Sequence, residues 1–223
     1  FILDYIIMIL IQLIIFFVII ITIKYTNTEI ELFSFKPKMI FAGDSIFANE
    51  KYVKKGHSFN YNITNLYPQS KVVAKDNSKI SSLWDQLTNI QPIILDKKNK
   101  LIISVGGNDI LNYNRFYNGD IKTIEIKDIF TKYESIIEFI QRRVKCNIII
   151  CNIYFIPSVK YKKYNKIIKI WNDWLEIFAK KKKIKLIKLD KILYDLTHFN
   201  NHIEPSEIGS KILAKKIYEE VLL

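Results

Sequence analysis

Cysteine is scarce: two residues in a chain of 223, Cys146 and Cys151. That is too few for a disulfide scaffold. Both lie in KCNIIICN, which reads as a strand, and their odd separation puts them on opposite faces, so they do not pair. No cysteine or histidine spacing suited to a metal site appears, and no metal or organic cofactor is expected. Histidine is scarcer still for a protein of this size, with three in all: His57, His198 and His202. Arginine is confined to Arg115, Arg142 and Arg143, although the net charge is +12. Lysine carries that charge and is spread along the chain. Its one dense run, Lys180 to Lys183, closes a predicted helix, where cations complement the helix dipole. With so little arginine for bidentate contacts, the charge reads as a lysine-coated surface, and no specific nucleic-acid partner is expected. Internal repeats and low-complexity domains are absent.

Apolar residues are plentiful at 49%, enough for a sizeable core. They are not evenly placed. From Ile6 to Ile23 the sequence is almost uninterruptedly apolar, long enough to cross a bilayer as a helix and without the polar face of a globular helix. It exceeds a signal-peptide core, and no small-residue cleavage site follows. Residues 1–23 are therefore expected to be a transmembrane anchor that makes the membrane a partner. The sequence does not show which side the rest occupies. Residues 24–37, KYTNTEIELFSFKP, read as a linker.

After Pro37 strands and helices alternate. Strands are predicted at Lys38–Ala42, Lys71–Ala74, Leu101–Val105, Asn147–Tyr154 and Ile184–Leu189. Helices are predicted at Ser58–Leu66, Ser81–Thr88, Ile126–Val144, Tyr164–Lys182 and Pro205–Leu222, the last with proline in its first turn. Five such alternations imply an α/β domain over residues 38–223, a three-layer α/β/α sandwich around a five-stranded parallel sheet. In such sheets ligands sit at the carboxyl ends of the strands.

The residues just after the strands are chemically pointed. Gly43-Asp44-Ser45 follows the first strand, Lys75-Asp76-Asn77-Ser78 the second, and Gly106-Gly107-Asn108-Asp109 the third. The loop Asp195-Leu-Thr-His198-Phe-Asn-Asn-His202-Ile-Glu204 precedes the last helix. A serine nucleophile needs a base and donors for an oxyanion, and these loops supply a hydroxyl, histidines, an asparagine amide and backbone amides.

These blocks resemble the SGNH/GDSL hydrolase superfamily, whose fold is flavodoxin-like. FAGDSIF is similar to its first block, and Gly106-Gly107-Asn108-Asp109 to its Gly-x-Asn-Asp block. Asp195-Leu-Thr-His198 with PSEIGSKILAKKI resembles its last block, and the likeness covers about residues 38–223. The resemblance implies an esterase or acylhydrolase with Ser45 as nucleophile. Asn108 and the backbone at Asn77 or Ser78 would hold the oxyanion, beside Gly106 and Gly107. Two departures stand out. The family's second-block glycine is replaced by Asn77 or Ser78. Glu204 stands where the family histidine precedes the helix proline, with Asn201 in the place of the aspartate. The base is then His202 or His198, oriented by Asp195 or Glu204. A small acyl ester, or an acylated glycan or lipid, is the implied substrate. An O-acyltransferase and a degenerate, membrane-tethered binding module are the alternatives.

Other polar residues have plainer expectations. Asp44 is expected to brace the turn, Asp109 to cap the following segment, and His57 to lie on the surface. Trp171 and Trp174 read as helix core. Residues 110–125 show no clear period and read as a loop, either plain surface or a lid over the site.

Overall fold

The computed structural model of the chain describes residues 11–25, 36–116, 123–200 and 203–222. They fall into two units, Phe1–Pro37 and Lys38–Leu223. In the first, residues 11–25 form helix α1. Its large apolar side chains are all exposed, from 42% at Ile20 to 67% at Tyr25, so the helix has no buried face. At 1.5 Å per residue it is about 22 Å long. Among the described residues no helix is long and apolar enough to cross a membrane. The expected span begins at Ile6, and residues 1–10 lie outside the described residues, as does 26–35 of the linker.

The second unit is built on a parallel sheet. In chain order it contains β1 (Met39–Gly43), α2 (Phe59–Leu66), β2 (Ser70–Val72), α3 (Leu83–Thr88), α4 (Gln91–Ile94) and β3 (Lys100–Ser104). Next come α5 (Gly107–Phe116), α6 (Thr123–Gln141), β4 (Asn147–Cys151), α7 (Asn165–Lys182), β5 (Lys185–Ile187) and α8 (Leu189–Ile192). A hairpin, β6 (Phe199–Asn200) with β7 (Glu204–Pro205), leads into α9 (Glu207–Leu222). The sheet order is β2-β1-β3-β4-β5, every pair parallel.

Strand periodicity divides the core in two. Ile40, Ala42, Leu101 and Ile103 pack against α3, α6 and α7 through Leu83, Ile137 and Trp171. Met39, Phe41, Ile102 and Ile149 pack on the other face against α2 and α9 through Phe59, Ile63 and Leu213. The sheet is thus covered on both sides, as expected for three layers. Cys146 lies in the first core and Cys151 in the second, both as free thiols.

Several expectations are corrected. Of the loop expected at 110–125, residues 110–116 are helical in α5 and 123–125 in α6, while 117–122 lie outside the described residues. Gly-Gly-Asn-Asp opens directly into a helix because Ile110 N–H already reaches Gly106 C=O at 3.1 Å. Pro205 is not in the last helix. It pairs with Phe199 in the hairpin, and Ser206 caps α9, its Oγ accepting from Gly209 N–H at 3.1 Å. Trp171 and Trp174 do pack in or against the core.

β1 lies between β2 and β3, so the chain leaves it first toward one edge and then toward the other. That makes the carboxyl ends of β1 and β3 the switch point, where a crevice opens. Here Asp44 N–H donates to Ser104 C=O at 3.1 Å, drawing the two strand ends together. Gly43 permits it: its φ is +137°, and a Cβ would stand 1.7 Å from the Ser104 carbonyl oxygen. Gly43→Ala should therefore lower stability by on the order of 3 kcal/mol or more, combining left-handed strain with a backbone clash. Urea unfolding followed by circular dichroism measures it.

Candidate active site

The turn after β1 is built from its own aspartate. Phe47 and Ala48 N–H both donate to Asp44 C=O at 3.1 Å, and Ile46 N–H donates to Asp44 Oδ1 at 3.2 Å. Phe47 anchors the turn from below, its ring 5.2 Å from Phe41 and 4.8 Å from Phe59. Ser45 is held between these fixed points at the switch, and Asp44 braces it as anticipated.

The Ser45 hydroxyl donates to Glu204 Oε1 at 3.2 Å. Glu204 reaches it from the hairpin, where its strand partner is Asn200. The hairpin is pinned from both sides. Asn200 Nδ2 donates to Tyr52 C=O at 2.7 Å, and Asn49 Nδ2 donates to Pro205 C=O at 3.1 Å. Asn49 is fully buried and also donates to Ser210 Oγ at 2.6 Å and accepts from Phe59 N–H at 2.8 Å. One side chain so ties the Ser45 segment, the Glu204 loop and two helices together.

The second block meets the third beside Ser45. Asn77 has φ +59°, the left-handed conformation that glycine adopts most freely and asparagine tolerates. The turn therefore forms here without a glycine. Asn108 Nδ2 donates to Ser78 C=O at 3.0 Å, and Asp109 Oδ2 accepts from Ile80 N–H at 3.0 Å. Asp109 therefore holds the preceding block rather than capping the next segment. Gln86 completes the frame. It accepts from Gly43 N–H at 2.8 Å and donates to Gly43 C=O at 2.8 Å and to Ser78 Oγ at 2.9 Å. Gly106, at φ +117°, lets Trp171 pack where a Cβ would approach Cζ2 to 2.6 Å. Gly107 meets no such constraint: a Cβ there would be 4.0 Å from Asp44 Oδ2.

Ser45, Glu204, Asn108 and Asp44 line one pocket of about 640 Å³ of empty space, mouth included. Its walls are mainly apolar, with Val105, Ile110, Ile153, Tyr154 and Ile156 among them. The wall after β4 is held by two asparagines of α7. Asn172 accepts from Ile153 N–H at 3.0 Å and donates to its C=O at 2.7 Å. Asn165 does the same at Ile156, at 2.8 and 2.9 Å.

The other predicted residues are placed elsewhere. His198 is buried in a short 3₁₀ turn, Leu196–His198, with its ring 5.3 Å from that of Tyr194. Its carbonyl packs against Gly209, where a Cβ would stand 2.1 Å away. Asp195 is exposed and accepts from Thr197 N–H at 2.8 Å and Oγ1 at 2.7 Å. Neither lines the pocket. The Asp-x-x-His spacing is spent on this turn beneath α9, and the hairpin after it carries residue 204 to Ser45 instead. His202 and Asn201 lie outside the described residues. His57 is exposed, 3.7 Å from the Glu207 carboxylate. Among the described residues no cluster of histidine, cysteine or carboxylate could hold a metal.

Gln86, Asn49, Asn165 and Asn172 were not anticipated. Gln86 had a readable signal: it lies one turn after Leu83 and beside Leu87, on an otherwise apolar helix face. Asn165 and Asn172 sit seven residues apart, on one side of α7. Asn49 carried none.

Two carboxyls dominate the electrostatics. Burial pushes Asp44 up to about 8, helped by the charges of Glu204 and Asp109 and opposed by the Ile46 N–H. Burial also raises Glu204 above its ordinary value; the Ser45 hydrogen bond opposes this and the charge of Asp76 adds to it.

No family model matches the sequence, and no curated protein matches it. Solved structures do match in fold. A member of the lipolytic protein G-D-S-L family from Veillonella parvula DSM 2008 is 18% identical with a TM-score of 0.66, covering 82% of this chain and 96% of that one. The lipase Lip_vut3 from a goat rumen metagenome is 17% identical with the same TM-score and coverage. Axe2, an acetylxylan esterase from Geobacillus stearothermophilus, is 18% identical with a TM-score of 0.59, covering 84% of this chain and 94% of that one. The chain has the fold of these GDSL-type hydrolases.

Asp44 also makes stability depend on pH. Its folded pKa is raised, to about 8 from an ordinary 3.8. The stability it allows is complete below the unfolded value and is lost as pH climbs through the folded one. Asp44→Asn keeps an oxygen for Ile46 N–H and removes the titration. It should be more stable than wild type at pH 8.5, with the gap closing toward pH 5 by at most about 1.4 kcal/mol per pH unit. Urea midpoints at the two pH values test this.

Proposed function

We propose that Lys38–Leu223 is a serine ester hydrolase that cleaves esters of apolar acyl groups. One observation carries the reading: the Ser45 hydroxyl is held at the switch point by a carboxylate, beside the Asn108 amide and at the end of an apolar pocket. Ser45 attacks the acyl carbonyl. Asn108 Nδ2 has one hydrogen engaged with Ser78 C=O and a second free to meet the oxyanion. The Ser45 N–H meets no acceptor among the described residues and serves as a second donor. Water then releases the acyl group from Ser45. The pocket wall of Val105, Ile110, Ile153 and Ile156 takes the acyl chain. The Axe2 neighbour, by its name, acts on acetylated xylan, which keeps an acylated glycan in view as the alcohol half of the substrate.

The unbroken exposed apolar surface of α1 supports an N-terminal segment that anchors the enzyme to a membrane. The expected outcome is that the full chain stays in the membrane pellet through high-pH carbonate washing. Recovery in the supernatant would remove the anchor.

The activity is tested with a fluorophosphonate probe and aryl esters of increasing acyl length. Ser45 should be labelled, and Ser45→Ala should abolish turnover with little change in thermal stability. Butyrate to octanoate esters should exceed acetate in kcat/KM, since each buried methylene is worth about 0.8 kcal/mol. Asn108→Ala should lower kcat by about 10²-fold, the effect of losing one oxyanion donor. A change in KM alone would count against that role.

A further inference from the structure

Resting on the ester-hydrolase reading, we infer that Glu204 is the general base of the reaction, forming a Ser45–Glu204 dyad in which a carboxylate replaces an imidazole. The geometry is that of a nucleophile and its base. Ser45 Oγ already donates to Glu204 Oε1 at 3.2 Å, within the reach proton transfer requires. Glu204 is not a flexible surface acid that happens to touch the serine. Its backbone is fixed by the hairpin register with Asn200 and by the Asn49 bond to Pro205 C=O. Its second oxygen, Oε2, is buried and accepts no hydrogen bond from any described residue. A carboxylate with one oxygen on the serine and the other starved of donors is more basic than a solvated one, since nothing else stabilises its charge.

The surroundings divide the labour between two acids. Glu204 faces Asp44, Asp76, Tyr52 and Tyr154, and Asn200 lies opposite it in the hairpin. Asp76 is itself engaged by Lys51 at 3.2 Å and by the Tyr52 hydroxyl at 3.0 Å. The more deeply buried Asp44, pushed up to about 8, keeps its proton at neutral pH. Glu204 is then the carboxyl of the pair that ionises. Paired groups whose environments separate their pKa values mark acid and base assignments.

The step balances without any further group. Glu204 takes the Ser45 hydroxyl proton as Oγ bonds to the acyl carbon and the carbonyl π pair moves onto oxygen. Collapse of the tetrahedral adduct breaks the bond to the alcohol, which leaves with the proton from Glu204. Water attacks the acyl-serine, giving a proton to Glu204. The second collapse breaks the acyl–Oγ bond, and Ser45 regains its hydrogen.

The experiment compares wild type with Glu204→Gln, Glu204→His and His202→Ala in the full chain. It reads fluorophosphonate labelling of Ser45 and the pH–rate profile on one activated ester. Glu204→Gln can keep a hydrogen bond to Ser45 but cannot take its proton, and should lose about 10²- to 10⁴-fold in both readouts, the range for a general base. Glu204→His should recover part of that rate, with the acid limb moved toward the imidazole range, roughly 6 to 7. Wild type should show an acid limb that hardly shifts with temperature, as a carboxyl does and an imidazole does not. Full labelling and turnover in Glu204→Gln, with loss in His202→Ala, overturns the dyad and leaves the hydrolase standing. Absence of labelling and turnover in wild type overturns both.

Discussion

The bond from Asp44 N–H to Ser104 C=O is the contact on which the site depends. It closes the end of β1 onto the end of β3, at the point where the chain's connections diverge, and it turns Ser45 out of the sheet. Only a glycine at position 43 can stand so close to β3. Gly43 is the last residue of β1 to pair with β3. On its other side Gln86 binds both its amide and its carbonyl, and the carbonyl also accepts from Lys75 N–H at 3.1 Å. The Gln86 amide nitrogen also reaches Ser78 Oγ, while Asn108 holds Ser78 C=O. The closure thereby fixes the first, second and third blocks as one rigid frame. Buried backbone groups that lack partners are costly, so each of these amides is a structural requirement before it is a functional one.

Side-chain amides take over from the backbone throughout this end of the sheet. Gln86, Asn49, Asn165 and Asn172 each offer a donor and an acceptor in fixed geometry, as a neighbouring strand would. Asn165 and Asn172 satisfy both groups of Ile156 and Ile153, residues beyond the last strand pairing of β4. The chain can therefore run extended past the sheet and present apolar side chains to the pocket without an unpaired backbone. Two asparagines of one helix thus build the pocket wall.

The sheet was legible in the sequence because its signal is local. Buried parallel strands such as MIFAG and NIIIC are short apolar runs, and their helices carry regular apolar faces. The blocks at the strand ends were legible because Gly-Asp-Ser and Gly-Gly-Asn-Asp interrupt those runs abruptly. The last loop was not. Asp195 and His198 satisfy a spacing, but spacing does not say which residues a two-residue hairpin strand will carry forward. Glu204 reaches Ser45 because Asn200 and Phe199 pair with Glu204 and Pro205, a long-range choice made by Tyr52 and Asn49. Neither contact has a periodic signature. The 107–116 helix was missed for a related reason: its polar, tyrosine-bearing sequence lacks an apolar stripe, and its start is set by Gly106 and the clamp on Ile80.

Two acids beside one serine should disfavour the oxyanion of the proposed reaction unless their charges are balanced. Asp44 and Glu204 line the pocket with Ser45, in a chain of net charge +12. If Asp44 and Glu204 were both ionised, a developing oxyanion beside them would meet two negative charges in a medium that screens poorly. Burial removes one by holding the proton on Asp44. In the proposed reaction the charge on Glu204 is neutralised by the proton of Ser45 in the same step that creates the oxyanion. The pocket's charge is then unchanged through the tetrahedral adduct and merely moves from a starved carboxylate to an oxygen with amide donors. A buried site tolerates displacement of a charge far better than the creation of a second one, which is the physical argument for a glutamate base in the proposed dyad.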